Sequence, residues 1–235
     1  MSFKVVINDL KKLADPEKAK FFPRFFKAGP GGYAEGDKFF GVTVPKCQSI
    51  AAKYKDLPLT EIQNLLKSEV HEARLTALTI LVNQYKKAKG VKGKENIFNF
   101  YLENTKYINN WDLVDMSAAK IIGDFIYDKP KNILYSLANS KNLWEKRISI
   151  ISTYMFIKKD EFEDTLKISK ILLNDSHDLI HKAVGWMLRE VGKKNMSVEK
   201  KFLKVNYKKM PRTMLRYAIE KLPEKTRLRY LTGKV

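Results

Sequence analysis

Apolar residues recur at helical spacing along nearly the whole chain. Phe3, Val6, Ile7, Leu10 and Leu13 mark a helix over residues 3 to about 14. Asp15-Pro16-Glu17 follows as an N-cap with Pro at the first helical position, and the helix it opens carries Phe21, Phe22, Phe25 and Phe26. From Pro45 onward, amphipathic segments begin near Pro45, Leu59, Glu72, Lys94, Trp111, Pro130, Leu143, Glu161, Asp178, Ser197, Pro211 and Pro223. They alternate a shorter helix with a longer one. No Asn-Gly or Asp-Gly turn joins alternating runs, so nothing reads as a strand pair.

One stretch interrupts the helices. Residues 28–37 are Gly-rich, and Phe39-Phe40-Gly41-Val42-Thr43-Val44-Pro45 closes them with a short extended segment. Gly31 and Gly36 have the spacing of a phosphate loop, but Asp37 and Lys38 stand where Lys and Ser/Thr belong. A flexible loop is the reading.

The longer helices repeat. Glu72-Ala73-Arg74-Leu75, Trp111-Asp112-Leu113-Val114, Trp144-Glu145-Lys146-Arg147, Asp178-Leu179-Ile180-His181 and Met210-Pro211-Arg212-Thr213 begin 39, 33, 34 and 32 residues apart. A period in the thirties with two helices per unit marks a helical solenoid. The fold expected is all-α, a single domain over 1–235 with about 12–14 helices. Residues 1–44 hold the N-terminal helices and the Gly-rich loop, and 45–235 the tandem repeats. Such arrays curve and line their concave face with second helices. Arg74, Asp115, Arg147, Lys182 and Arg212 are therefore expected along one surface, a single carboxylate among cations.

Charge sharpens the picture. Forty-five Lys and Arg against 26 acids give +19 at pH 7 and a pI near 9.7, which draws a protein to polyanions, nucleic acid first. Lys193 to Val235 alone carries 14 cations and three acids. The single cysteine, Cys47, excludes an internal disulfide and fits a reducing compartment; with no apolar leader or membrane-length run, a cytoplasmic protein is expected. A monomer is the default for a capped solenoid.

Asn109-Asn110-Trp111-Asp112-Leu113-Val114-Asp115 holds the candidate chemistry. It reads as the first turn of a helix, where residues four apart share a face, so Trp111 lies beside Asp115. Basic side chains and backbone donors suit a duplex backbone, and Trp111 and Trp186 can stack on a base or sugar. An acid in such a groove repels DNA unless it serves chemistry. Cleaving a nucleoside bond supplies that chemistry, because a carboxylate stabilises the electron-poor sugar and orients water. Other chemistries fare worse. His71, His177 and His181 with one cysteine make no metal cluster, and no Gly-x-Ser-x-Gly elbow is present.

Three spaced motifs, Trp111-Asp112-x-Val114-Asp115, Trp144-x-x-Arg147 and Lys182-Ala183-x-Gly185-Trp186-x-Leu188-Arg189-Glu190, resemble the HEAT-like-repeat alkylpurine DNA glycosylases of the AlkD type. Gly41-Val42-Thr43-Val44-Pro45 is similar to the lead-in to the first repeats of that family. The resemblance spans nearly the whole chain in order. It implies a right-handed solenoid of HEAT-like repeats with a concave basic DNA-binding groove. The activity implied is excision of positively charged N3- or N7-alkylated purines from double-stranded DNA, in the cytoplasm at the nucleoid, with no metal or organic cofactor. By that resemblance Asp115 is the catalytic carboxylate, Trp111 and Trp186 contact the deoxyribose, and Arg147 supports the site and the DNA backbone. Arg189, Lys182, Thr43, Lys46, Arg74 and Arg212 complete the expected DNA contacts. Family members are thought to act without flipping the base into a pocket. The chain departs from the pattern in a longer Gly-rich loop, and in Thr43 and Phe25, where a Gln and a Tyr that approach DNA would align. The competing readings are a non-catalytic solenoid that binds branched or damaged nucleic acid, and a protein scaffold, which the charge disfavours.

Overall fold

The computed structural model describes residues 2–235. Among them every named element is helical, and the one extended contact is an isolated parallel bridge between Lys38 and Val70. The all-α class expected from the sequence is what the protein adopts. The chain forms two compact units that divide between Ser117 and Ala118. No helix among the described residues is long and apolar enough to cross a membrane.

The first unit contains α1 (Phe3–Lys12), α2 (Pro16–Phe25), α3 (Val44–Lys53), α4 (Leu59–Leu66), α5 (His71–Lys87), α6 (Gly90–Glu103) and α7 (Trp111–Ala118). Its starts follow local chemistry. Asp15 caps α2 by accepting from Lys18 N–H at 3.1 Å, with Pro16 at the first position, where a missing N–H costs nothing. The centre of the unit is α5, against which α1, α3, α4 and α6 pack. Every residue from His71 to Val82 is buried, so that part of α5 has no solvent face to give it an apolar stripe. Its threonines survive burial by donating to carbonyls one turn back, Thr76 to Glu72 at 2.7 Å and Thr79 to Leu75 at 2.8 Å.

The Gly-rich segment is pinned to the start of α5. Lys38 N–H donates to the Glu69 carbonyl and His71 N–H to the Lys38 carbonyl, each at 2.9 Å. The buried Glu72 carboxylate then accepts from three consecutive backbone N–H groups: Phe40 at 3.1 Å, Gly41 at 2.8 Å and Val42 at 3.1 Å. Gly41 takes φ +78°, and a Cβ there would sit 2.1 Å from the Asp15 carbonyl oxygen, so this loop tolerates no side chain at that point.

The second unit begins at Ala118, the last residue of α7, and holds a π-helical stretch, Ala119–Gly123, and α8 (Asp124–Ile126). Then follow α9 (Asn132–Ala138), α10 (Leu143–Ser152), α11 (Tyr154–Lys158), α12 (Glu163–Ile171), α13 (Asp178–Lys194), α14 (Met196–Asn206), α15 (Arg212–Ala218) and α16 (Glu224–Leu231). The pairing is regular. α9 packs on α10, α12 on α13 and α14 on α13, while α10, α13 and α15 pack successively on one another. Two helical layers result, as a period of shorter and longer helices requires.

Candidate active site

The first turn of α7 is built by its neighbours in sequence. Asn110 is buried, and its Oδ1 accepts the Trp111 N–H at 2.8 Å; Asp112 Oδ1 accepts the Leu113 N–H at 2.8 Å. These bonds satisfy N–H groups that a helix start leaves without carbonyl partners. Trp111 and Asp115 both lie within α7, one turn apart and hence on one face. Both are half-buried.

Trp111 rests on aromatic rings. Phe26 stacks on it at 5.7 Å between centroids with the planes 26° apart, and Phe25 meets it edge-on at 5.8 Å. Phe26 in turn stacks on Phe39 at 5.4 Å. Beside this cluster lies a cavity of about 350 Å³ whose walls include Phe22, Phe25, Val42, Thr43, His71 and Trp111. Phe25 on its wall is 50% exposed.

Under the rings lies a charged network. His71 Nε2 is 2.8 Å from Asp112 Oδ2, and His71 Nδ1 faces Asp37 Oδ2 at 3.5 Å. The same Asp37 oxygen accepts from Arg74 Nη2 at 2.5 Å, while Arg74 Nη1 donates to the Ser68 carbonyl at 2.8 Å. Burial works against the charged imidazole, but the hydrogen bond to Asp112 and the nearby Asp37 carboxylate outweigh it and push His71 up to about 9. The two acids thus favour the imidazolium at neutral pH. Cys47 is buried, and desolvation pushes its thiol up to about 12, so it is no nucleophile.

The other expected site residues fall into two groups. Thr43 is the N-cap of α3 and makes no side-chain capping bond; Lys46, in the first turn of α3, is exposed. In the second unit Lys182 pairs with Asp178 at 2.7 Å, Arg189 donates to Glu220, and Arg212 is exposed with its Nη1 on the Leu231 carbonyl at 2.6 Å. Trp186 is half-buried; its indole N–H donates to Glu190 at 3.1 Å and Tyr154 lies 6.3 Å away. Arg74 and Arg147 are not open surface cations. Both are buried, Arg74 on Asp37 and Arg147 with Nη1 2.5 Å from the Leu179 carbonyl, because acceptors distant in sequence take them inside. Gly185, in the third motif, is a packing residue: a Cβ there would lie 2.5 Å from the Met214 carbonyl oxygen and 2.5 Å from Tyr217 Cβ, both on α15.

Sequence reasoning missed the His71–Asp112 pair and the role of Glu72. The only signal was position, since all three stand in the first turns of helices.

Comparison with known proteins gives the chain a family. The family model described as DNA alkylation repair enzyme matches residues 6–222. The chain therefore belongs to the DNA alkylation repair enzyme family, which makes DNA repair its role and DNA its substrate. The fold is shared with a solved structure described as a predicted DNA alkylation repair enzyme from Enterococcus faecalis, at a TM-score of 0.69 and 17% identity, covering 90% of this chain and 97% of that one. No curated protein sequence matches significantly.

Proposed function

We propose that the protein is a DNA glycosylase that hydrolyses the N-glycosidic bond of positively charged N3- or N7-alkylated purines in duplex DNA. The observation that carries the reading is the pairing of Trp111 with Asp115 on one face of α7, in a member of this family with a net charge of +19.

An alkylated purine already bears the positive charge that a leaving group usually gains from an acid. Its C1′–N bond breaks with both electrons passing to the base, which departs neutral, and the sugar becomes oxocarbenium-like. The Asp115 carboxylate stabilises that charge and orients a water. The water oxygen bonds to C1′, its proton passes to the carboxylate and on to solvent, and an abasic site remains. Trp111 offers the sugar a flat, electron-rich wall, on which a developing cation is favourable. By resemblance Trp186 does the same. Lys46, Thr43, Lys182, Arg189 and Arg212 serve the phosphates, a role that needs only distributed donors and weakens steeply with salt. Arg74 and Arg147 act from inside, as supports. No cofactor enters this scheme, and its setting is the cytoplasm at the nucleoid.

The test is release of the base from a duplex carrying one N7-methylguanine, with Asp115→Asn beside the wild type. Salt-sensitive binding without release by either protein, on cationic lesions of both kinds, supports the non-catalytic reading instead.

A further inference from the structure

We propose that His71 is a positioning residue for Trp111: clamped between Asp112 of α7 and Asp37 of the Gly-rich segment, it fixes the first turn of α7 and the ring mounted there. This rests on the glycosylase reading for its kinetic consequence, but the clamp itself does not.

The geometry is convergent. Three segments distant in sequence meet at one imidazole, α5 through His71 itself, α7 through Asp112 at 2.8 Å, and the loop through Asp37 at 3.5 Å. The ring also lies 4.5 Å from the Phe26 centroid and 5.4 Å from that of Phe39. Phe26 is the ring on which Trp111 stacks. His71 thus reaches Trp111 twice, through the backbone of its neighbour Asp112 and through the shared Phe26.

A neutral imidazole carries one N–H; an imidazolium donates through Nε2 to Asp112 and holds its second N–H and its charge toward Asp37, which at 3.5 Å is an ion pair and not a formed hydrogen bond. The charged groups around it are Asp112 from α7, Asp37 from the loop, and Arg74 one turn on in its own helix, the last opposing the charge. Glu72 is occupied by the backbone N–H groups of Phe40, Gly41 and Val42, and the end of α2 contributes only its uncharged C-cap, Phe26. Two carboxylates against one guanidinium favour the cation. Loss of the proton would leave Asp37 to Arg74 alone and strip the charge assistance from the bond to Asp112, loosening the hold on the first turn of α7.

Two measurements test the clamp without any substrate. In protein labelled with ¹⁵N at histidine, His71 is expected to stay imidazolium through neutral pH and titrate near 9. The tryptophan fluorescence difference between wild type and Trp111→Phe should change with the same midpoint, and that transition should vanish in His71→Gln. A His71 that is neutral at pH 7, or a Trp111 signal blind to its titration, overturns the proposal.

The kinetic arm separates positioning from bulk stability. His71→Gln should lower kcat for base release by roughly 10- to 100-fold, the loss that a misplacement of about 1 Å brings, with duplex Kd changed by less than about twofold. Asp112→Asn, which keeps the Leu113 cap oxygen, should do the same, and the double variant should be no worse than either single one. If His71→Gln fails to fold, Asp112→Asn carries this arm alone. Wild-type kcat in Asp112→Asn overturns the proposal. Should the wild type release no base from any cationic lesion, the glycosylase reading fails, while the two titrations still decide the clamp.

Discussion

Removing the Glu72 carboxylate should unfasten the segment that leads into α3. The side chain is 1% exposed, and its oxygens accept from Phe40, Gly41 and Val42 at 2.8–3.1 Å. A hydrogen bond to a charged group contributes about 1.5–3 kcal/mol, and a buried donor left unmade costs about 1–3 kcal/mol. The three bonds share one acceptor group and the loop can relax toward water, so the losses do not add in full. Glu72→Ala is expected to cost about 3–5 kcal/mol, in the range for breaking a buried charged interaction. Glu72→Gln keeps one carbonyl oxygen where Oε1 stands but loses the charge assistance, which is about half of such a bond, and should cost about 1–2 kcal/mol. For a chain this long each kcal/mol moves Tm by roughly 2–4 °C, so the alanine variant should melt about 6–20 °C lower. Circular dichroism melts measure the total, and amide exchange at Phe40, Gly41 and Val42 locates it. An alanine variant that melts with the wild type, with those amides still protected, would refute the reasoning.

Other expectations follow from burial. Gly185→Ala gains helix propensity worth about 0.8–1 kcal/mol, yet its Cβ meets backbone at 2.5 Å, so the clash wins and a net loss of about 1–3 kcal/mol should appear in denaturant midpoints. Glu199 is buried beside Gly192 and desolvation pushes it up to about 8, above its unfolded value of 4.5. Between those values the native state holds the extra proton, so stability is full below about 4.5 and falls as pH rises through about 8. Glu199→Gln should flatten that slope in melts recorded across the window; an unchanged slope assigns it elsewhere.

Much of the fold was legible because prolines and short polar residues punctuate it. Asp15-Pro16, Pro45, Pro58, Asn142, Pro211 and Pro223 each stand at or beside a helix start, where a missing N–H is harmless or a side-chain oxygen replaces a carbonyl. The helix starts expected near Leu59, Trp111, Leu143 and Asp178 fall at those residues. The break at Thr153 between α10 and α11 escaped notice, since apolar spacing runs through it without Gly or Pro. So did the π-helical turn at Ala119–Gly123, where the spacing differs from an α-helix by one residue per turn. The site was legible only along single helices. Trp111 and Asp115 lie on one face because spacing alone decides it. Arg74, Arg147 and His71 could not be placed, because their partners are Asp37, Leu179 and Asp112, which no periodicity connects to them.

The central claim concerns one carboxylate, so the most direct measurement is single-turnover base release from a duplex with one N7-methylguanine, alongside duplex affinity. Asp115→Asn should bind DNA at least as tightly as the wild type, having lost a negative charge from a chain of net charge +19, and release base more slowly by roughly 100-fold or more. Equal release by the two proteins would contradict the account.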